Sequence, residues 1–393
     1  MAYFTTRPET GRHFLHIPGP TNVPDRVLRA LDNAPMDHRG PDFGVMMLQI
    51  FTKLQKLFQT NSHVLVFPGS GTGSWEAGLV NTLSPGDTVL LCRTGQFAAL
   101  WIDMAKKLQL NVEIIETDWR HGADIDAISA ALEADKAHRI KAVAVVHNET
   151  STGCMTHIAD VRAALDGAKH PALLMVDTVS GIGALDYQHD AWGVDVTIAG
   201  SQKGMMMPPG LGFNAVSAKA LEASKTATLP RAYWHWQPMI AINKEGYFPS
   251  TPATNLLYAL DTGLDMLFAE GLENVFARHQ RFAEATRRAV AAWGCETQCA
   301  DPRAASGVVT TVRVPEGHSA DALRKVILEK FDLSLGNGLG PLAGKVFRIA
   351  HMGNLSPLQL VGVIGGVEMG LRAAGVPHRE GGVQAAMGYL GGN

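Results

Sequence analysis

One lysine, Lys203, lies in a polar break inside otherwise apolar sequence, the segment AGSQKGMMMPPG at 199–210. Lysine side chains are usually exposed. One that is held among three methionines and two prolines would be partly desolvated, which lowers the pKa of its amine. A lowered pKa suits an amine nucleophile that forms a Schiff base with a carbonyl compound. The alternative is an ordinary lysine whose ammonium group reaches water along its apolar stem.

Asp177 and Arg348 are two further charged residues in apolar surroundings. Asp177 closes the run ALLMVD at 172–177, and Arg348 lies within KVFRIAHMG at 345–353. A carboxylate at the rim of a core is costly without a partner. A pyridinium N–H is one suitable partner, and a helix N-terminus or an arginine is the alternative. The planar guanidinium of Arg348 suits a substrate carboxylate, and an inter-domain salt bridge is equally open.

The turn Ser70-Gly71-Thr72-Gly73 follows the apolar run HVLVF and leads directly into a helix-like stretch. Free N–H groups and the dipole at a helix N-terminus favour an anion such as phosphate, although a tight turn with an N-cap hydroxyl has the same composition. The turn is neither a Walker A loop nor a GxGxxG fingerprint. A nucleotide-dependent dehydrogenase would also need an acid at the end of the second strand, where the sequence reads TVLLCRTGQF.

The elements that would position these residues are short apolar strands alternating with amphipathic helices. Helix-like segments lie between most of the strands, for example 96–108, 124–135 and 157–168. The pattern predicts an α/β fold with a largely parallel sheet. In such sheets ligands gather beyond the carboxyl ends of the strands, which is where the polar, glycine-rich segments fall. The predicted strands are 63–67, 88–92, 112–116, 141–146, 172–177, 196–200 and 213–217.

The pattern changes after residue 254 and predicts a smaller α+β domain. It has a long helical stretch at 255–293, strands at 307–314 and 347–352, and helices at 319–330 and 356–373, with a glycine-rich loop at 336–344. We therefore expect a large domain at 1–254, which opens with a loop-rich segment and a helix at 44–58, and a small domain at 255–393. A chain of 393 residues is too long for one ordinary core.

Charge and composition exclude several classes of function. Lys and Arg (34) against Asp and Glu (37) give a net charge of −3, which argues against a binder of nucleic acid or anionic membranes. Neither the four cysteines nor the histidines have metal-ligand spacing, and we expect no metal. The N-terminus, MAYFTTRPETGRHFL, lacks the apolar core of a secretory signal, and no run is long enough to span a bilayer. A cytoplasmic location follows by default.

A set of segments in fixed order resembles the class V (fold-type I) aminotransferases that use pyridoxal 5′-phosphate, in particular those that transfer amino groups from serine, alanine or aspartate to glyoxylate. The resemblance runs over nearly the whole chain and implies the fold-type I architecture. The segments are IPGPTNVP, SGTGSWEA, TGQF, HNETSTG, VDTVSGIG, GSQKGMMMPPG, YFPSTP and GKVFRIAHMG.

By this resemblance, the residues around the cofactor ring each have a role. Lys203 matches the lysine that carries pyridoxal phosphate as a Schiff base, and Asp177 matches the partner of the ring nitrogen. Val179 matches an apolar residue under the ring. Phe97 matches an aromatic residue on the other face, where some relatives have tryptophan. Thr150 matches a hydroxyl near the 3′-oxygen.

The same resemblance implies a phosphate site, a substrate site and a partner subunit. Ser70, Gly71, Thr72 and Gln202 match the phosphate cradle. Tyr247, with Ser250 or Thr251, matches a segment that reaches the phosphate from the neighbouring subunit, which implies a homodimer with a shared active site. Arg348, together with Thr150 and Asn22, is expected to bind the substrate.

The function implied is a ping-pong transfer of the amino group of a small L-amino acid to glyoxylate, giving glycine and a 2-keto acid. Serine is the first expectation for the donor, with alanine or aspartate as alternatives. Aspartate would need a second cation, for which His38 and Arg39 are candidates. Other class V chemistries, desulfurase or kynureninase-like, stay open, although a desulfurase would need a cysteine on a mobile loop near the site, whereas Cys154 lies in STGCM directly after a predicted strand and its turn. A non-catalytic binding protein would have no use for Lys203, Asp177 and Arg348 together.

Overall fold

The computed structural model describes residues 11–392, so that residues 1–10 of the expected large domain and Asn393 of the small one lie outside the described residues. The strands are β1 Phe14–His16, β2 His63–Gly69, β3 Thr88–Arg93, β4 Asn111–Glu116, β5 Ile140–Val146, β6 Asn148–Glu149, β7 Cys154–Met155, β8 Leu173–Asp177, β9 Val196–Gly200, β10 Gly210–Val216, β11 Glu296–Thr297, β12 Val309–Arg313, β13 Leu333–Asn337 and β14 Val346–Ala350.

Helices separate most of these strands, and two short 3₁₀ turns, Pro302–Ala304 and Gly340–Leu342, accompany them. The helices are α1 Asp25–Leu31, α2 Pro41–Phe58, α3 Gly71–Thr82, α4 Gln96–Lys107, α5 Ile125–Ala134, α6 Ile158–Gly167, α7 Ala218–Ser224, α8 Trp236–Asn243, α9 Thr254–Glu270, α10 Leu272–Trp293, α11 Ala320–Phe331, α12 Pro357–Ala373 and α13 Gly382–Gly391.

The larger sheet has seven strands in the order β2-β10-β9-β8-β5-β3-β4. Among them β10 runs antiparallel to both neighbours, and the remaining pairs are parallel. The prediction of a largely parallel α/β sheet is therefore confirmed. The carboxyl ends of the six co-directional strands meet at one edge, and the polar segments after β2, β5, β8 and β9 come together there.

Side chains of the large sheet alternate between two cores, as the two-residue period of a strand requires. Val64 and Val66 of β2 pack on the side of α2, α5, α6 and α9. Leu65 and Phe67 pack on the other side with α3, α4, α7 and α8. Strands buried on both faces explain the unbroken apolar runs in the sequence.

The second sheet has five strands in the order β1-β13-β14-β12-β11. Three elements in and around this sheet differ from the sequence expectation. β1 lies in the segment expected to be loop-rich, β13 overlaps the expected glycine-rich loop, and α13 follows the helix expected to be the last. The two strands have three and five residues, which is too short for a periodic pattern to show.

The expected domain boundary at residue 254 stays a prediction, and the cores of the two sheets meet along α9 and α10. Leu257, Leu260 and Leu264 of α9 belong to the core of the large sheet. Phe282 and the later apolar residues of α10 belong to the core of the second sheet. The change therefore lies within α10, and β1 joins the second sheet from the N-terminal side. Among residues 11–392, no helix has the length and apolar character needed to cross a membrane.

Candidate active site

A cavity of ≈ 280 Å³ opens at the carboxyl edge of the large sheet. Most of the residues that the sequence singled out for chemistry line it. They are Ser70, Gly71, Thr72, Phe97, Thr150, Asp177, Val179, Gln202 and Lys203.

A larger cavity of ≈ 720 Å³ lies beside the carboxyl end of β4. Its lining includes Asp118, Asp124, Asp160 and Asp301 and one arginine, Arg303, which is paired with Asp301. These acids would repel an anionic ligand, so this cavity is a poorer candidate for the predicted chemistry. Within the described residues, no group of three or more His, Cys, Asp or Glu is placed to hold a metal ion.

Lys203 is buried at the floor of the smaller cavity, in the loop between β9 and β10. The N-terminal segment passes over it. Thr21 donates through its amide to the Gln202 carbonyl (3.1 Å) and through its hydroxyl to the Lys203 carbonyl (3.0 Å). The Lys203 amine donates to the carbonyl of Pro18. Burial, followed by the nearby charge of Arg348, lowers the pKa of Lys203 to about 8, so roughly a tenth of the amine is unprotonated at pH 7, far more than for an exposed lysine.

The Asp177 carboxylate ends β8 and faces the same cavity. Its Oδ1 accepts a hydrogen bond from the amide of Val179 (2.7 Å), and its Oδ2 accepts one from the indole of Trp75 (2.8 Å). Burial raises the pKa of Asp177 to about 7, whereas the two hydrogen bonds oppose this rise. A cation in the cavity would favour the ionised form, because an adjacent opposite charge lowers a carboxyl pKa.

Glu149, in the motif HNETSTG, is a second buried carboxylate, and no role for it was predicted from the sequence. Its Oε1 accepts from the amide and hydroxyl of Ser151 (3.1 and 2.6 Å), and its Oε2 accepts from the amides of Phe97 and Ala98 (both 3.1 Å). Glu149 thereby caps α4 from a distant loop. The cap holds Phe97 at the cavity and fixes the loop that contains Thr150.

Arg348 lies buried in β14 of the second sheet; it is not among the residues that line the cavity, but it contacts the lining residue Thr150. Its Nε donates to the carbonyl of Asn337 (2.7 Å) and its Nη1 to the carbonyl of Thr150 (3.0 Å). These bonds join the second sheet to the Thr150 loop. Among residues 11–392, no acceptor is hydrogen-bonded to Nη2. Burial lowers the pKa of Arg348 to about 10, and the group stays cationic at neutral pH.

The N-terminus of α3 forms the opposite end of the cavity. Ser70 is its N-cap residue, but the Ser70 side chain makes no capping hydrogen bond. The amides of the first turn have no partner inside the helix. A Cβ on Gly71 would lie 2.5 Å from Cγ2 of Val179, so the close approach of helix and loop requires glycine. Gln202 lines the same cavity, and the N–H groups of its side-chain amide can donate to an anion, whereas its buried Oε1, which has no hydrogen-bond partner among the described residues, can only accept. This end of the cavity suits an anionic ligand.

The comparisons with known proteins agree with this geometry. Residues 13–341 match the sequence model of the family "Aminotransferase class-V", and the chain belongs to that family. It is 50% identical to a serine–glyoxylate aminotransferase of Methylorubrum extorquens, over 98% of this chain and 97% of that protein. It is 45% identical to an L-aspartate–glyoxylate aminotransferase of Paracoccus denitrificans, over 96% of both. Its fold matches a pyridoxamine–pyruvate aminotransferase from Mesorhizobium loti with a TM-score of 0.91, at 28% identity, over 98% and 99% of the two chains.

Class V aminotransferases act with pyridoxal 5′-phosphate, and the cavity has groups suited to each part of that molecule. Asp177 would hold the ring nitrogen, and Lys203 would bind the aldehyde carbon. The amide groups at the start of α3 and the Gln202 side chain would hold the phosphate. Phe97 and Val179 line the cavity and would enclose the ring.

Several residues expected at the site do not line the cavity of their own chain. Asn22 donates to the Leu15 carbonyl (2.8 Å) and lines a separate cavity near the N-terminal segment. Tyr247 packs against the start of α2, where a Cβ on Gly44 would lie 3.0 Å from its hydroxyl oxygen. Ser250 and Thr251 are exposed, and His38 and Arg39 lie in the loop before α2.

Other lining residues were not singled out from the sequence. Trp75 lies in the motif SGTGSWEA and Asn148 in the motif HNETSTG, in which other residues were predicted to bind the cofactor, and Ser180 directly follows Val179. Ser180 donates to the Asn148 carbonyl (2.8 Å) and accepts from its side-chain amide (3.2 Å). Gly19 is also at the wall, and a Cβ there would lie 2.5 Å from the Lys203 amine. Gly19 lies in the motif IPGPTNVP, from which Asn22 was the residue predicted to bind the substrate.

Cys154, the cysteine nearest the motifs in sequence, is buried and absent from the lining. Contact with the Cys299 thiol, together with burial, raises the pKa of the Cys154 thiol. A desulfurase would need an accessible thiolate. The geometry therefore favours amino transfer over that alternative.

Proposed function

We propose that this chain is a cytoplasmic, homodimeric transaminase that moves the amino group of a small L-amino acid, with serine first, to glyoxylate. The products would be glycine and a 2-keto acid. The observation that carries the proposal is the placement of Lys203 and Asp177, both buried, on one cavity, with the Arg348 guanidinium bonded to the Thr150 loop at its wall.

In this mechanism, bound pyridoxal phosphate supplies an electron sink for the carbon that loses its proton. The Lys203 amine, with its lowered pKa, accepts the proton from the α-carbon of the donor and returns it. Asp177 holds a proton at the ring nitrogen. Arg348 binds the α-carboxylate through the Nη2 group that no described residue engages, and so orients the donor. The segment that crosses Lys203 limits the access of water.

The cavity favours a donor with a neutral side chain. Among its lining residues, Lys203 is the one cation, and Arg348 serves the α-carboxylate that all donors share. A serine hydroxyl would find polar partners in Asn148, whose Oδ1 is buried without a partner among the described residues, and Ser180. Aspartate would need a further cation. The names of relatives at 50%, 46% and 48% identity support serine, and the name of one at 45% supports aspartate.

The homodimer is part of the proposal because one chain leaves the predicted phosphate contacts incomplete. Tyr247 and Thr251 lie away from the cavity of their own chain. Next to the Tyr247 contact, α2 exposes Val45 and Leu48, which are spaced for one helix face. A partner subunit that covers this face would bring its own Tyr247 segment to the cavity.

The test is an absorbance titration of the purified protein. A yellow band that serine bleaches and glyoxylate restores would support both half-reactions, with alanine and aspartate as competing donors. The donor that bleaches the band fastest identifies the preferred substrate. Lys203→Ala should abolish multiple turnover. A protein that stays colourless after pyridoxal phosphate is added, or a Lys203→Ala variant with full turnover, would contradict the proposal.

A further inference from the structure

Trp75 lines the cavity, and the proposed mechanism gives it no role. It lies in the first turns of α3, is 3% exposed, and points its indole nitrogen at the Asp177 carboxylate. The N–H donates to Oδ2 at 2.8 Å, while the Val179 amide donates to Oδ1. Each oxygen of Asp177 thus has one donor from the protein.

An indole N–H is a donor only. It can donate to either form of the carboxyl group, but it stabilises the ionised carboxylate more than the neutral acid. Asp177 needs such stabilisation, since it is 4% exposed and Glu149 lies near enough to disfavour its charge. A hydrogen bond to a charged group contributes more than one between neutral groups. The bond from Trp75 also fixes the rotation of the carboxylate.

The Trp75 indole packs against a second indole that makes no hydrogen bond with Asp177. Trp75 stacks on Trp101 of α4, with ring centroids 5.8 Å apart and an interplanar angle of 12°. Trp101 is fully buried, and its Nε1 has no hydrogen-bond partner among the described residues. The pair therefore holds two buried indoles in the same stack, one whose N–H reaches Asp177 and one whose N–H reaches no described acceptor.

We propose that Trp75 is a positioning residue for the cofactor ring: its indole N–H holds the Asp177 carboxylate ionised and correctly rotated against the ring nitrogen. This inference rests on the proposed function. It assigns to the tryptophan of SGTGSWEA a role in ring binding that acts through Asp177, separate from the phosphate contacts of the same helix.

The test compares two variants of the stack, Trp75→Phe and Trp101→Phe. Each keeps an aromatic ring and removes one indole, and Trp101→Phe is the matched control. The apo forms are titrated with pyridoxal phosphate and with its 1-deaza analogue, in which a C–H group replaces the ring nitrogen. The dissociation constants are read by fluorescence or dialysis, without any measurement of turnover.

We expect Trp75→Phe to weaken pyridoxal phosphate binding by about tenfold, which is the effect of losing one hydrogen bond to a charged group. Binding of the deaza analogue should change by less than about twofold, because that analogue offers no ring N–H to Asp177. Trp101→Phe should leave both constants near those of the wild type. In turnover with serine, Trp75→Phe should lower kcat with little change in KM.

Two results would overturn the inference. Equal losses of affinity for the two cofactors in Trp75→Phe would mean that Trp75 has a structural role alone, and an unchanged affinity for pyridoxal phosphate would mean that it has no role toward the ring. A failure of the proposed function looks different, because the wild-type chain itself would then not bind pyridoxal phosphate.

Discussion

Glu149 shows how one buried residue can organise a site without lining its cavity. Both of its oxygens accept two hydrogen bonds, and every partner is a donor on the two segments that flank the cavity. Its negative charge raises the pKa of Lys203 and of Arg348, whereas burial lowers both. Glu149 therefore connects the start of α4 to the Thr150 loop through hydrogen bonds, and its charge acts on both Lys203 and Arg348.

Replacing Glu149 by Gln should reduce the stability of the chain. Glutamine has nearly the same shape as glutamate, but its amide nitrogen cannot accept a hydrogen bond. This nitrogen would face the donors that now bind one carboxylate oxygen, and at least one of those donors would be left unpaired. We expect a loss of about 2 kcal/mol in the free energy of unfolding, the usual cost of an unsatisfied buried group. Urea denaturation of the apo protein measures it. Glu113→Gln, at an exposed position of β4, is the control, and equal stability of the two variants would refute the argument.

Residues at strand ends could be predicted because a parallel sheet gathers them at one edge. Lys203, Asp177 and Gly71 were found in this way, together with their expected surroundings. Glu149 and Trp75 were not singled out, because their partners lie 51 and 102 residues away along the chain. A local sequence pattern does not show how far along the chain such a partner lies, or in which direction.

At the scale of elements, periodicity predicted the seven strands of the large sheet and the helices between them. It did not predict β1 or β13, which are short and pair with each other in parallel. Gly336 in β13 shows why composition misled. A Cβ there would lie 2.7 Å from Cδ of Pro18 and 3.0 Å from Cβ of Arg348. Glycine here permits a strand to pack closely against its neighbours, whereas the glycine-rich composition of the segment predicted a loop.

The start of α3 provides the test at this scale. Gly71→Ala would place a methyl group against the branched Val179 side chain, which moves the helix N-terminus away from its loop. We expect the affinity for pyridoxal phosphate to fall by about tenfold or more, since the phosphate loses charge-assisted bonds to the first-turn amides. Equilibrium dialysis of the apo protein measures this.

The control is Gly167→Ala at the end of α6. A Cβ at Gly167 meets no atom within 4 Å, and alanine in place of glycine at a helical position is neutral or slightly stabilising. Both variants add the same methyl group to a helical glycine. If Gly71→Ala bound the cofactor as tightly as Gly167→Ala, α3 would not form the phosphate site.

For the whole molecule, the site lies where the two sheets and the N-terminal segment meet. The large sheet provides Lys203 and Asp177, and the second sheet provides Arg348. The N-terminal segment runs from β1, in the second sheet, across the Lys203 loop. Substrate binding by Arg348 would thus depend on how the second sheet sits against the first. In the proposed homodimer, the remaining part of the site, the Tyr247 and Thr251 segment, would come from another copy of the chain.

Mixing two inactive variants tests whether the site is shared. One variant is Lys203→Ala, and the other is the double variant Tyr247→Phe, Thr251→Ala, which should bind the cofactor phosphate weakly. In a mixed dimer with shared sites, one site would contain both defects and the other would contain none. Random mixing after dissociation should therefore restore about a quarter of the wild-type activity, because a symmetric dimer has two equivalent sites.

The alternative arrangements give different results in the same experiment. If each site were complete within one chain, every site in the mixture would have one defect, and the activity would stay at the average of the two parents. If the double variant alone kept full activity and cofactor affinity, the Tyr247 segment would not contact the phosphate at all. Two wild-type copies that stay monomeric in sedimentation, with full activity, would also exclude sharing. Restored activity requires that Lys203 of one chain and Tyr247 and Thr251 of its partner meet at one site.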